Sequence, residues 1–233
     1  MFFKNYLKKI IRYFSSQISV KHNENDRLIE KNALGKILSN MQHNQKSTNI
    51  NDYEFKIFSQ CGDDGIIQYL IKNLDIKNNY FIEFGVGDFS ESTCRFLMMN
   101  DNWSGFIIDE NKENIKKILA QPWFWFYDLT VKCHFIDKTN INSILKEIKI
   151  KNIGILHIDI DGNDYHIFKE IDLSCLNPAI IILEYNSIFG VERAITVPYS
   201  KDFHRTKAHF SNLYFGASLK AMKIIANKKG YSL

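Results

Sequence analysis

After Asp52 the chain settles into one rhythm: short apolar runs separated by amphipathic segments. The runs "YFIEF" (80–84), "SGFIID" (104–109), "KCHFID" (132–137), "IGILHIDI" (153–160) and "AIIILEY" (179–185) are brief and rich in Ile and Phe, as strands are. Between them Asp64 to Leu74, Ser92 to Met99, Lys112 to Ala120, Asn140 to Ile148 and Tyr165 to Ile171 read as helices. Strands that alternate with helices at this spacing pair in parallel through right-handed crossovers, and strands apolar throughout require cover on both faces. The expected class is α/β, an open, doubly wound, mostly parallel sheet.

What precedes that rhythm differs. Residues 21–52 are polar around one plausible helix, Leu28 to Met41, so residues 1–52 read as an N-terminal helical arm and linker and 53–233 as the main domain. The opening "MFFKNYLKKIIRYF" has an apolar face of Phe3, Leu7, Ile10, Ile11 and Phe14, with Lys4, Lys8, Lys9 and Arg12 elsewhere around the helix. It is too short and too charged to span a bilayer and lacks the pattern of a signal peptide. Residues 1–16 therefore either pack on protein or make peripheral contact with an anionic membrane surface.

Composition narrows the function classes. A net charge of +4, spread among charged residues that make up 24% of the chain, offers no concentrated basic face for a phosphate backbone, so no nucleic acid is expected. Cys61, Cys94, Cys133 and Cys175 show neither C-x-x-C pairs nor a disulfide rhythm, which suits reduced thiols in the cytoplasm.

In open α/β sheets ligands bind outside the carboxyl ends of the strands. The acidic residues fall there: Glu83, Asp109, Asp137, Asp159 with Asp161, and Glu184 end the five runs in order. Carboxylates gathered on one rim repel unless a cation or a hydroxyl-rich ligand shares them. In "FIEFGVGDFSEST", Gly85 and Gly87 permit a sharp turn and close approach to a ligand. A dinucleotide fingerprint would need a third glycine where Ser90 stands, and Asp88 puts negative charge where a pyrophosphate would sit. Glu83 and Asp109 suit instead a cationic cofactor carrying an amino acid and a ribose, which points to S-adenosylmethionine.

The segments "FSQCGDDGIIQYL", "YFIEFGVGDFSESTCRFLM", "SGFIIDENKENI", "LHIDIDGNDYHIFKEI", "IILEYNSIFG" and "HFSNLYFGASLKAMKIIANKKGYSL" together resemble bacterial sugar O-methyltransferases of the FkbM-like type and, more distantly, the macrocin O-methyltransferase type. That resemblance implies a Rossmann-like class I methyltransferase fold. It implies cofactor contacts from Gln60 in "SQCGDDG", Glu83, Gly85, Gly87, Asp109, Asp137 and Asp159. The "DID" of Asp159 and Asp161 resembles a metal-binding Asp-x-Asp, and Glu184 an acidic ligand from the fifth strand, although Tyr185 and Asn186 stand where a second acid is usual. Asp161, Glu184 and Asn186 together would suit Mg²⁺ or Mn²⁺.

The acceptor expected is a sugar hydroxyl on a nucleotide-activated sugar or heptose for a bacterial capsule or surface polysaccharide. Its proton would go to Asp161, with His204 and His209 in "DFHRTKAHFSN" as alternates. A non-catalytic module that binds the same ligands for a partner enzyme is the alternative. Several residues have plainer roles open to them: His157 as a hydrogen-bonded core residue, Asp164 as a helix cap, and "PWFWFYD" as core or interface. The chain stops at "KKGYSL", where this fold ordinarily adds a final β-hairpin. An uncovered sheet edge would favour a homodimer. The site of action expected is the cytoplasm, at or near the inner face of the membrane.

Overall fold

The computed structural model describes residues 25–233, so the amphipathic helix expected at residues 1–16 lies outside the described residues. Five parallel strands form one sheet in the order β3-β2-β1-β4-β5: β1 (Asn78–Phe84), β2 (Ser104–Asp109), β3 (Leu129–Cys133), β4 (Ile153–Ile158) and β5 (Ile180–Leu183). The helices are α1 (25–41), α2 (Asp63–Asn73), α3 (Arg95–Asp101), α4 (Lys112–Leu119), α5 (Ile141–Lys146), α6 (Asp164–Glu170), α7 (Arg205–Ala208) and α8 (Leu219–Lys228). This is the α/β class that the apolar rhythm implies.

Side chains alternate across the sheet, and each face has its own core. Ile82, Phe84, Phe106, Ile108, Leu156 and Ile158 meet Ile141, Ile144 and Leu145 of α5 and Ile167 and Phe168 of α6. Phe81, Ile107 and Ile155, one position out of phase, meet Ile67 of α2, Leu97 and Met98 of α3 and Ile115 and Ile118 of α4. α1 lies outside α2 and α3. Its Gly35 sits so close to the Phe96 ring that a Cβ would fall 2.4 Å from it, and Ser39 Oγ donates to Gln68 at 2.7 Å.

Two boundaries depart from the sequence pattern for a physical reason. β3 begins at Leu129, three residues before the apolar run, and ends at Cys133. As an edge strand it bonds only β2, so its pairing with Gly105 to Asp109 sets its limits, and Phe135 and Ile136 are released to turn across the rim. α3 begins at Arg95 rather than Ser92, because the Ser92 hydroxyl and the Thr93 and Cys94 N–H groups are all drawn to Glu83.

Among the described residues no strand follows β5. The chain crosses the carboxyl rim of the sheet as a strap, residues 187–216, and then enters α8. Ala217, just before it, and Ala221 and Met222 within it pack on Leu183 and Tyr165. The strap is tied down along its length. His166 Nε2 pairs with Val197 O at 2.7 Å, Asn163 Nδ2 donates to Ser200 O at 2.9 Å, and Lys201 meets Asp137 at 3.1 Å. Gly216 N donates to Gly162 O at 3.2 Å, and the Phe203 ring fills the space over Gly162, where a Cβ would lie 2.2 Å from it.

Candidate active site

β1 and β4 are the neighbours at which the strand order reverses, and a cavity of about 690 Å³ opens over their carboxyl ends. Gly85 closes β1 with φ +75°, its N–H bonded to Ile108 O at 2.9 Å, and a Cβ there would fall 1.6 Å from Asp159 O. No other residue fits this crossing, and it holds the β1 loop flat against β4. Gly87, at φ +55°, has open space where its Cβ would be, and its N–H donates to Asp109 Oδ2 at 2.8 Å.

Asp109 is therefore anchored. Its Oδ1 accepts from Asn111 N at 2.8 Å and from Asn114 Nδ2 at 3.2 Å. A carboxylate has about four acceptor sites, so one remains on Oδ2 for a ligand hydroxyl. Glu110 lines the cavity beside it. His134, Phe135 and Ile136 form one wall, while Phe203, His204, Arg205, Thr206 and Asn212 of the strap form the opposite side.

Asp159 and Asp161 also line the cavity. Burial raises the pKa of Asp159 above the usual carboxylate range, with His157 opposing. Asp161 takes a left-handed backbone conformation, φ +56°, and its exposed carboxylate meets Arg205 Nη1 at 3.1 Å. Asp164, fully buried, is the first residue of α6. It closes the preceding turn by accepting from Ile160 N at 2.7 Å and Gly162 N at 2.9 Å, rather than capping the helix that it begins. Burial pushes it up to about 6. Glu184 is pushed to about 8 by burial and by Asp159, Asp164 and Asp161 together, against the pull of Arg205. Carboxylate oxygens of Asp159, Asp164 and Glu184 lie within 4.8 Å of one another.

The structure thus brings Gly85, Gly87, Asp109, Asp159, Asp161 and His204 to one cavity. It places other expected residues elsewhere. Glu83, 2% exposed, does not touch the cavity: it accepts from Ser92 Oγ at 2.7 Å, Thr93 N at 2.9 Å, Cys94 N at 3.3 Å and His157 Nδ1 at 3.0 Å. Burial works against both charges of the Glu83–His157 pair. Their mutual hydrogen bond and attraction nevertheless hold Glu83 below and His157 above their ordinary values. His157 is the core residue its apolar strand suggests.

Asp137 is held down to about 2 by Thr139 and by Lys201, and secures the strap. Gln60 is exposed and its carbonyl receives Lys56 Nζ. His209 turns to Ser211 Oγ at 2.7 Å and is absent from the cavity lining. Nor are the three oxygens expected to hold a divalent ion free to meet. Asn186 gives its Nδ2 to Leu213 O at 2.8 Å and Phe215 O at 3.0 Å and receives Ile188 N on its Oδ1, while Asp161 and Glu184 both face Arg205.

Sequence reasoning passed over Asn114, Phe203 and Arg205. Asn114 carried a usable signal, one helical turn beyond the acid that ends β2. Arg205 carried only its place between His204 and His209.

Residues 37–213 match the family described as the methyltransferase FkbM domain. The chain belongs to this family. Comparison with curated proteins finds no match. The five-stranded parallel sheet with its helices is consistent with a Rossmann-like methyltransferase fold, and methyltransferases of this family generally use S-adenosylmethionine. The residues fit such a group: an anchored acid for hydroxyls at Asp109, two glycines that open the loop, and a carboxylate-lined cavity suited to a sulfonium and an ammonium rather than to phosphates.

Proposed function

We propose that this FkbM-family chain is an S-adenosylmethionine-dependent O-methyltransferase whose acceptor is a sugar hydroxyl. The observation that carries the cofactor is the meeting of Asp109, Asp159 and Asp161 in one cavity beside Gly85 and Gly87. Together with Glu110 these carboxylates make the cofactor end of the cavity a poor host for phosphates and a good one for a cation. Asp109 would accept a ribose hydroxyl, the glycine loop would leave room for the amino-acid portion, and the wall of Phe135 and Ile136 would take the base.

When bound, the cofactor supplies a methyl group on a positively charged sulfur. The chain must hold an acceptor hydroxyl in line with that group and take its proton as the new C–O bond forms and the C–S bond breaks. In this reading Asp161 takes the proton. Arg205 donates to its Oδ1, which leaves Oδ2 to accept, and His204 on the strap is the second group within the same lining. The exposed mouth and the hydrogen-bonding character of this rim favour a hydroxyl-rich acceptor, and the resemblance favours a nucleotide-activated sugar or heptose of a bacterial surface glycan. Action in the cytoplasm, with residues 1–16 touching the inner membrane face, belongs to the same proposal. It rests on four free cysteines and the basic amphipathic sequence. No helix of the described residues is long and apolar enough to cross a membrane.

Calorimetric titration with S-adenosylmethionine and S-adenosylhomocysteine tests the reading. Saturable binding of both is expected, and Asp109→Ala should weaken it about 100-fold, close to 2.7 kcal/mol, in a protein that still folds, as circular dichroism and a single cooperative melt would verify. Absence of binding by the intact chain would remove the cofactor assignment.

A further inference from the structure

The rim contains a cation already, and it is part of the chain. Arg205 Nη1 lies 3.1 Å from Asp161 Oδ1 and 3.7 Å from Glu184 Oε1, so one guanidinium spans the two acids that, with Asn186, were expected to hold a metal. Its position is set from two other directions. Nε donates to Asn212 O at 2.9 Å, and the guanidinium carbon stacks 3.7 Å above the Phe215 ring. A planar cation held by a carbonyl, an aromatic face and two carboxylates is a built arrangement, because a guanidinium keeps its charge and its fork geometry where a hydrated ion would need open coordination positions. Asp164, the deepest acid of the group, offers little to an ion, since both its oxygens already receive backbone N–H groups. Asn186 is likewise committed.

We infer that Arg205 stands in the cation position of this rim, serving as a positioning residue that orients Asp161 and offsets Glu184, so that the site operates without a divalent metal. The placement has a consequence for the acceptor. Arg205 belongs to the strap, whereas Asp161 and Glu184 follow β4 and β5. The charge that organises the proton acceptor therefore comes from the same segment that lines the cavity opposite Phe135 and Ile136. The orientation role rests on the proposed methyl transfer, but the cation position does not, and the two are separable by experiment.

The test uses Mn²⁺, whose free concentration is read by electron paramagnetic resonance, against the intact protein, Arg205→Ala, and Arg205→Ala combined with Glu184→Gln. The intact protein should show no saturable Mn²⁺ binding up to millimolar concentration. Arg205→Ala should gain at least 10-fold in Mn²⁺ affinity, and the double variant should lose that gain. Equal, tight binding by the intact protein and Arg205→Ala would overturn the inference, and so would absence of binding by every form, because the acids would then be no cation site.

S-adenosylhomocysteine titration of the same proteins reports the cofactor reading independently. Its affinity should change less than 3-fold in Arg205→Ala, whose melting curve verifies folding. Where turnover is measured, it should be unaffected by EDTA in the intact protein and fall at least 50-fold in Arg205→Ala with S-adenosylmethionine KM unchanged, and Arg205→Lys should restore part of it. Inhibition of the intact enzyme by EDTA, or full turnover by Arg205→Ala, would refute the inference.

Discussion

Two groups of charge lie within the same end of the sheet, and they are built on opposite principles. At the base of the β1 loop, Glu83 and His157 form a buried pair in which the carboxylate receives four hydrogen bonds from its own chain. At the rim above, Asp159, Asp161, Asp164 and Glu184 crowd together with Arg205 as their near cation, and Glu184 Oε2 is buried without a partner. Both are acids at strand ends. The first is satisfied by the fold and holds the loop in place; in the second, Asp164 is met by backbone N–H groups, but Asp159 and Asp161 line the cavity and Glu184 keeps one oxygen unpaired. The difference teaches that an acid at a strand end takes its role from what its remaining acceptor positions face: Glu83 has none turned to the cavity, whereas Asp109, though held by three hydrogen bonds, keeps one there.

The sharpest way to break that contrast is to remove the base of the satisfied group. His157→Ala strands Glu83 as a buried charge and should cost about 3–5 kcal/mol at pH 7, read as a fall in the denaturation midpoint. A loss below about 1 kcal/mol would mean that Glu83 does not depend on its partner. The pair also has a sign in pH. Because the folded-state pKa of His157 is raised, its contribution is complete below the unfolded value of 6.5 and fades as pH climbs through the folded value.

The rim should respond in the opposite sense to neutralisation. Glu184 is raised to about 8 from 4.5, so the folded state favours its protonated form; its share of stability is complete below pH 4.5 and is lost as pH rises through about 8. Glu184→Gln should therefore stabilise the protein at pH 9, on the order of 2 kcal/mol, and make no difference at pH 4. Thermal melts of the two proteins across this range decide it, and a variant less stable at pH 9 would contradict the account of the rim.

The smallest effect is expected at the edge of the comparison. His209 turns away to Ser211, so His209→Ala should alter turnover less than about 2-fold, or 0.4 kcal/mol, whereas the same change at His204 should reduce it measurably. Equal losses would put both histidines to use.

The contrast also explains what could be read in the sequence. The sheet was legible because its strands are short apolar runs covered on both faces and separated by amphipathic helices, and Phe81, Ile82, Ile107, Ile108, Ile155 and Leu156 could occupy few other arrangements. The limits of β3 were less legible, since an edge strand is bounded by its single neighbour and not by its own apolar content. Asp109 and the two glycines were legible because backbone geometry demands those residue types there. Glu83 read as a ligand contact because an acid at a strand end looks the same in sequence whether its partners are a ligand or Ser92, Thr93, Cys94 and His157. The strap hid Arg205 for a related reason: residues 187–216 are held by single hydrogen bonds and one ring over a glycine, which leave no periodic trace.

Gly162 gives that last contact a wider meaning. Because Phe203 occupies the space of its missing side chain, the strap docks on the sheet through a socket that any other residue would fill. Strap residues other than Arg205 and its anchors Asn212 and Phe215 can change while the socket is preserved. Lineages descended from such a chain could exchange one acceptor for another by rewriting the strap around these fixed points, and a mutation at this single glycine would close that route.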